Sequence, residues 1–288
     1  LILVGDKKTP LWDKKKLPSN IHFLSLDDQN QKWPTLSKLM PVNHYGRKNL
    51  AYLWAIENNV EILLDTDDDN FSEFDVFSFE TNAYRTLDSE QDWVNVYAYF
   101  GQEKLWPRGL PLDEAMSPKK ETITHKESPD WHCFQAIVDG DPDLDAIGRM
   151  LYPQNHTFSD LPPIILQGRQ FCPTNSQATL WKKDLIPILY LPLTAPFRMT
   201  DIWRGIVISG FLKLKGFQTL FGKANFVQIR NKHNLLTDFE DEFQGHLKSQ
   251  IVKKVSDSIW KDNSSLSQEI SLLKVYQELS KLNIVSAI

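Results

Sequence analysis

The stretch Ile62–Asn70, ILLDTDDDN, sets four aspartates within five positions directly after an apolar run. Asp65, Asp67, Asp68 and Asp69 repel one another at neutral pH, while the residues before them read as a buried β-strand. A chain that folds this way must either leave the turn in water or bring counter-charge to it. Two overlapping Asp-x-Asp pairs are available, Asp65 with Asp67 and Asp67 with Asp69, and alternate residues of an extended segment point the same way. Either pair suits a hard divalent cation, which takes oxygen ligands. The twelve-residue calcium loop does not fit, since its sixth position, counted from Asp65, is Asn70 rather than Gly. A solvated acidic turn is the other reading, and the apolar strand ahead of it favours the metal socket.

The first hundred residues alternate short apolar runs with helical patterns. LILV (1–4) and IHFLSL (21–26) read as strands, RKNLAYLWAIENN (47–59) as a helix, and EILL (61–64) as a third strand. This is the pattern of a parallel α/β sheet. Ligands bind such sheets beyond the carboxyl ends of the strands, and Asp6, Asp27, Asp28 and Asp65 all fall there. WVNVYAYF (93–100), IILQG (164–168), SQATLW (176–181) and FVQIR (226–230) read as further strands, with residues 101–163 mostly loop. TDIWRGIVISGFLKLKG (200–216) reads as a helix capped by Thr200 and stopped by Gly216. Helical pattern resumes at Asp238. Its clearest piece is 265–282, capped by Ser265 and Gln268, with Leu266, Ile270, Leu273, Tyr276 and Leu279 as a packing stripe.

Composition narrows the classes. With 288 residues, 41% hydrophobic, the chain has material for one large domain or two modest ones. A net charge of −5 with scattered Lys and Arg gives no nucleic-acid groove. Cys133 and Cys172 alone cannot make a disulfide framework or a cysteine zinc site. The longest apolar run, 185–193, is too short to span a bilayer, so any membrane anchor is expected outside this segment. Sequons at Asn155 and Asn263 are compatible with a secretory lumen. No P-loop and no nucleophile elbow is present.

Several ordered blocks carry a resemblance: KNLAYLWAIENNVEILLDTDDDN, LWPRGLPL (105–112), DPDLDAI (141–147), FCPTNSQATLW (171–181) and PFRMTDIWRG (196–205). From about Leu1 to Phe243 the chain resembles the STELLO-type glycosyltransferases, Golgi proteins whose catalytic region faces the lumen. More distantly it resembles the reversibly glycosylated polypeptides, which include UDP-arabinopyranose mutases. The resemblance implies an α/β glycosyltransferase A-type fold, with a Rossmann-like nucleotide-binding half, a mixed sheet and an acceptor half. It places this catalytic domain at residues 1–245 and a C-terminal helical extension, packed on it, at 246–288.

It also implies roles. Asp65, Asp67 and Asp69, with His233 as a later ligand, would hold Mn²⁺ or Mg²⁺ against the diphosphate of a nucleotide sugar, UDP-linked by preference. Gly5, Asp6, Asp28, Lys48 and Asp68 would contact the donor. Arg108 would either pair with donor phosphates or cap a loop. Asp201 matches the acidic position of the mutases and would act as base, or else favour the dipole of its helix. On the acceptor side, Trp203 would stack on a sugar or pack in the core. Arg198 and Arg204 would bind phosphate or form ion pairs. The acceptor, a glycan or a protein, is left open. The arginine that becomes glycosylated in the mutases aligns with Pro111, three residues after Arg108, which counts against self-glycosylation. A nucleotide-sugar mutase and a silent scaffold that assists polysaccharide-synthesising membrane enzymes are the alternatives.

Overall fold

A computed structural model describes residues 1–10, 12–72, 83–87, 91–117, 119–231 and 233–286, with the side chain of residue 224 left out. The strands are β1 (Ile2–Val4), β2 (His22–Leu24), β3 (Ile62–Thr66), β4 (Asn70–Ser72), β5 (Tyr84–Leu87), β6 (Thr122–His125), β7 (Trp131–Gly140), β8 (Ile164–Leu166), β9 (Ala178–Lys182) and β10 (Gln218–Gln228). The α-helices are α1 (Leu26–Lys32), α2 (Pro34–Leu39), α3 (Asn49–Glu57), α4 (Leu112–Ala115), α5 (Ala146–Leu151), α6 (Thr200–Lys215), α7 (Leu235–Asp262) and α8 (Gln268–Lys281).

Eight strands form one mixed sheet in the order β3-β9-β7-β10-β8-β5-β6, with β4 added along the far part of β10. β7 and β10 run parallel, and β9 lies antiparallel to both β3 and β7. The strands β3, β7 and β10 therefore point the same way and end at one edge. β1 and β2 pair in parallel with each other as a separate ribbon rather than joining β3. The single parallel sheet expected from the first hundred residues is thus two sheets, and the larger one is mixed.

β7 is the central strand, although residues 101–163 read from the sequence as mostly loop. Residues 132–138 are all buried, as a strand covered on both faces requires. The run HCFQAIV has no alternation to betray it, and Gln135 interrupts it. That amide is matched inside, donating to Asn175 Oδ1 at 2.9 Å and accepting from the Asn175 N–H at 2.9 Å. The opposite difference occurs at 93–100, where a strand was expected and a 3-10 helix, Val96–Phe100, forms. An apolar run buried on every side reads alike in both conformations. β10 begins eight residues before the predicted FVQIR and carries an irregularity between Lys223 and Val227, where Asn225 takes a positive φ.

α6 is buried along residues 200–212, so it is the central helix of the helical layer. It ends at Gly216 in the left-handed conformation. Thr200 is its first residue rather than its cap. α7 crosses it closely: Trp260 Nε1 and Ser256 Oγ both donate to the Val207 carbonyl, at 2.9 and 2.7 Å. The expected boundary between 245 and 246 falls inside α7, which is continuous, and one core cluster runs from Tyr52 through Trp203 to Val275 and Val285. α8 is capped by Ser267, and its buried face is Leu272, Val275 and Leu279. Leu266, Ile270 and Leu273 of the expected stripe are exposed. Among the described residues no helix is long and apolar enough to cross a membrane.

Candidate functional site

The aspartate run begins inside the protein and ends outside it. Asp65, still within β3, is fully enclosed. Its carboxylate lies 2.7 Å from Arg204 Nη1 and 2.6 Å from Lys48 Nζ, and accepts from the Tyr52 hydroxyl at 2.7 Å. Burial alone would raise its pKa, but the two cations outweigh this and hold it below the usual carboxylate value. Asp65 therefore has its counter-charge from the protein, and the expectation that it ligates a metal gives way to a structural ion pair.

Lys48 Nζ reaches past Asp65 to Asp67 Oδ1 at 3.0 Å, and also donates to the Thr66 carbonyl at 2.9 Å. It stands behind the acidic wall as an internal counter-ion, not in front of it as a phosphate ligand. Tyr45 donates to the same Asp67 oxygen at 3.0 Å. Asp67 Oδ2 has no hydrogen-bond partner among the described residues. Burial, followed by the Asp65 and Asp201 charges, raises the Asp67 pKa despite Lys48. About a third of this side chain, 32%, still meets solvent, so it can meet a ligand. Asp69 Oδ2 accepts from Gln228 Nε2 at 2.9 Å.

The facing wall comes from the ends of β7 and β10 and from the start of α6. Arg108 grips Asp143 through Nε and Nη2 at 2.8 and 3.0 Å and reaches Asp201 at 3.3 Å. The Asp143 carboxyl would be raised by burial, but Arg108 holds it well below the usual range. Asp201 also accepts from the Ser176 N–H at 3.2 Å. Arg198 pairs with Glu242 of α7 at 2.8 Å. Arg230 donates to Gln228 Oε1 at 3.0 Å and lies 3.2 Å from Asp141. Burial and the neighbouring Arg149 pull the Arg230 pKa down to about 10, against the opposing effect of Asp143 and Asp141. Gln228 thus joins the two walls, its amide NH₂ on Asp69 and its carbonyl on Arg230.

Between these walls lies a cleft of about 220 Å³ lined by Asp67, Asp68, Asp69, Asp143, Asp201, Arg108, Arg198, Arg230, His233, Gln177, Gln228, Tyr45 and Phe197. It opens beyond the carboxyl ends of β3, β7 and β10, where open α/β sheets bind ligands. A larger and mainly apolar cavity, about 780 Å³, lies between α8 and residues 190–194. It is distant in chemistry from any cluster of charges, and the smaller cleft holds the reactive groups.

Of the residues singled out in the sequence, the cleft gathers Asp67, Asp68, Asp69, Arg108, Arg198, Asp201 and His233. It does not gather the others. Arg204 is enclosed with Asp65, and Trp203 is 1% exposed with its Nε1 toward Ser249 Oγ at 3.3 Å. Both belong to the core because α6 is buried on all sides. Gly5 donates its N–H to the Leu24 carbonyl, and a Cβ there would meet the Phe23 ring at 2.8 Å. Asp6 accepts from the His44 N–H at 3.1 Å. Asp28 closes the capping box of α1 with Ser25 and pairs with Lys14. Tyr45, Gln177, Phe197, Gln228 and Arg230 enter the cleft without having been singled out. Asp143 also lines it, from the acidic run Asp139, Asp141, Asp143 and Asp145, which the sequence reads first as turn chemistry and second as acceptor binding.

Among the described residues no group of three or more His, Cys, Asp or Glu side chains is arranged to hold a metal ion. The cleft does offer two carboxylates, Asp67 and Asp69, two positions apart on its acidic wall. His233 Nδ1 is turned to Asp238 at 3.3 Å.

These features define an α/β protein with an acidic wall and an arginine wall meeting at the carboxyl edge of a mixed sheet. The family model of the STELLO glycosyltransferases matches residues 198–287, a span that contains Arg198, Asp201, Arg230 and His233. Two curated Arabidopsis thaliana proteins, "Probable glycosyltransferase STELLO2" and "Probable glycosyltransferase STELLO1", are 28% and 27% identical over 227 residues, covering 71% of this chain and 29% of theirs. Over these spans the chain is similar to the STELLO glycosyltransferases, and it covers less than a third of the length of these relatives.

Proposed function

We propose that this chain is a glycosyltransferase domain of the A-type fold that transfers a sugar from a nucleotide diphosphate sugar, UDP-linked, to a glycan or protein acceptor with the help of Mn²⁺ or Mg²⁺. The observation that carries the reading is the pair Asp67 and Asp69 facing Arg198 and Arg230 across one cleft, with Asp201 in its wall. Cations of this kind are commonly held by one or two carboxylates and completed by substrate phosphates and water, so two aspartates are a sufficient protein share. A bound divalent ion would neutralise charge on the departing diphosphate.

The chain's own groups supply the rest. Arg198 and Arg230 offer guanidinium N–H donors to the diphosphate and stabilise the charge that develops on it. Asp201 accepts the proton of the acceptor hydroxyl while that oxygen bonds to the anomeric carbon. The sugar–phosphate bond breaks and its electron pair leaves with the nucleotide diphosphate. Arg108, shared between Asp143 and Asp201, orients the base. A mutase using an arginine nucleophile is disfavoured, since Arg108 is committed to two carboxylates and the aligned position, Pro111, is the residue that precedes α4.

Titration calorimetry of UDP and GDP, with and without Mn²⁺, on the wild type and on Asp67→Ala tests the reading. Metal-dependent binding of one nucleotide, abolished by the substitution, is expected. Absence of binding for both nucleotides, with and without Mn²⁺, would leave the scaffold as the better account.

A further inference from the structure

We propose that Phe197 is the platform on which the nucleobase of the donor stacks, an assignment that rests on the donor-site reading above. Phe197 opens the 3-10 turn Phe197–Met199 ahead of α6. Arg198 and Met199 of that turn are 8% and 2% exposed, whereas Phe197 is 52% exposed. The one side chain of the turn directed outward is thus a phenyl ring, and it lines a cleft otherwise dominated by charge. A flat apolar face in such a place gains from a flat ligand, and every base has a π-face to offer.

The ring is braced on its protein side. Its centroid lies 6.2 Å from that of Tyr45 and 6.3 Å from that of His44, both close to edge-on. Tyr45, the other phenyl ring of the lining, has its hydroxyl tied to Asp67. Phe197 therefore stands one tyrosine ring beyond the acidic wall. A diphosphate at Asp67 and Asp69 would extend its nucleoside across that interval.

The surroundings also suit the edge of a base rather than a sugar. His44 Nδ1 accepts from the Gly46 N–H at 3.0 Å, which leaves the proton on Nε2 as a donor. Burial lowers the His44 pKa and so keeps the ring neutral. The His44 backbone N–H is bonded to Asp6, which draws the end of β1 to the same corner. Asp6 enters the site indirectly, by fixing His44.

The test uses the chain with Mn²⁺ present and two probes, UDP and inorganic pyrophosphate, on the wild type, Phe197→Ala and Phe197→Trp. The expected result is that Phe197→Ala weakens UDP roughly ten- to a hundredfold and leaves pyrophosphate unchanged, while Phe197→Trp keeps UDP within a few-fold of the wild type. Equal UDP affinity in the wild type and Phe197→Ala overturns the assignment, and so does an equal loss of both probes. A wild type that binds pyrophosphate but not UDP overturns the base platform alone. A wild type that binds neither overturns the donor site and the platform with it.

Discussion

Arg204 Nη1 lies 2.7 Å from Asp65 Oδ2, and neither side chain has any exposed surface. The guanidinium also donates to the Tyr52 hydroxyl, the Asn175 carbonyl and Ser176 Oγ. One buried pair thus ties β3 to α6 and to the buried segment of Asn175 and Ser176, whose next residue, Gln177, lines the cleft. Removing Arg204 leaves Asp65 with Lys48 as its one remaining cation, and breaking a buried pair costs up to about 3–5 kcal/mol. Arg204→Met is expected to lower unfolding free energy by this order in urea denaturation. A variant as stable as the wild type would remove the pair from the framework and return Arg204 to the list of ligand contacts.

Asp67 should behave in the opposite way. Its carboxylate is partly solvated and held above its ordinary pKa by burial and by neighbouring carboxylates, so the fold gains little from its charge. Asp67→Asn is expected to unfold within about 1 kcal/mol of the wild type, while the Mn²⁺-dependent affinity for UDP falls on the order of a hundredfold or more. The contrast between Asp65→Asn and Asp67→Asn, measured side by side in denaturation and in titration, separates the structural aspartate from the ligand aspartate. Equal effects in both assays would deny the separation.

The contrast also shows what the sequence could and could not disclose. The apolar strand and its acidic end were legible, since both lie within nine consecutive residues. Which aspartate turns inward was not, because that depends on Lys48 and Tyr52 at the start of α3 converging with Arg204 of α6. Asp201 was legible from its block, and Trp203 two residues on was misplaced for a related reason. A helix start looks amphipathic when its neighbours are unknown, yet α6 is covered on every side. β7 escaped notice because a central strand has no alternation, and its buried Gln135 finds its partner forty residues later, at Asn175. Asp28 and Gly5 stand at strand ends as expected, but they serve a helix cap and a close ring contact. The arginine wall was read only in part: Arg108 and Arg198 were singled out, Arg230 was not, because its role arises from Gln228 linking it to Asp69.

Two glycines on the helices give a test of the packing that supports the cleft. A Cβ on Gly205 of α6 would stand 2.4 Å from the Thr174 carbonyl oxygen, which is backbone. A Cβ on Gly245 of α7 would meet the Met199 Sδ and Cε at 2.4 Å, the far end of a flexible side chain. Gly205→Ala is therefore expected to destabilise by roughly 1–3 kcal/mol and to displace the segment holding Asn175 and Ser176, weakening UDP. Gly245→Ala is expected to cost less, since Met199 can change rotamer. Thermal unfolding of the two variants checks the order, and a reversal would mean that the segment at Thr174 yields more easily than Met199.

Asp143 supplies the pH dependence. Its carboxyl is held well below its ordinary value of 3.8 in the folded chain, because Arg108 outweighs the effect of burial. Arg230 and Arg198 act in the same direction, and none of these arginines titrates in acid. A group whose folded pKa is depressed contributes stability that is complete above its unfolded pKa and is lost as pH falls toward the folded one. In Asp143→Asn that contribution is missing at every pH. The variant is expected to be less stable than the wild type by about 3 kcal/mol near neutrality, with the gap closing as pH falls below about 4. Urea unfolding at pH 7, 4 and 3 measures it. A gap that stays constant across this range would mean that the loss comes from packing, and that the Arg108–Asp143 ion pair contributes nothing to holding the base wall of the cleft.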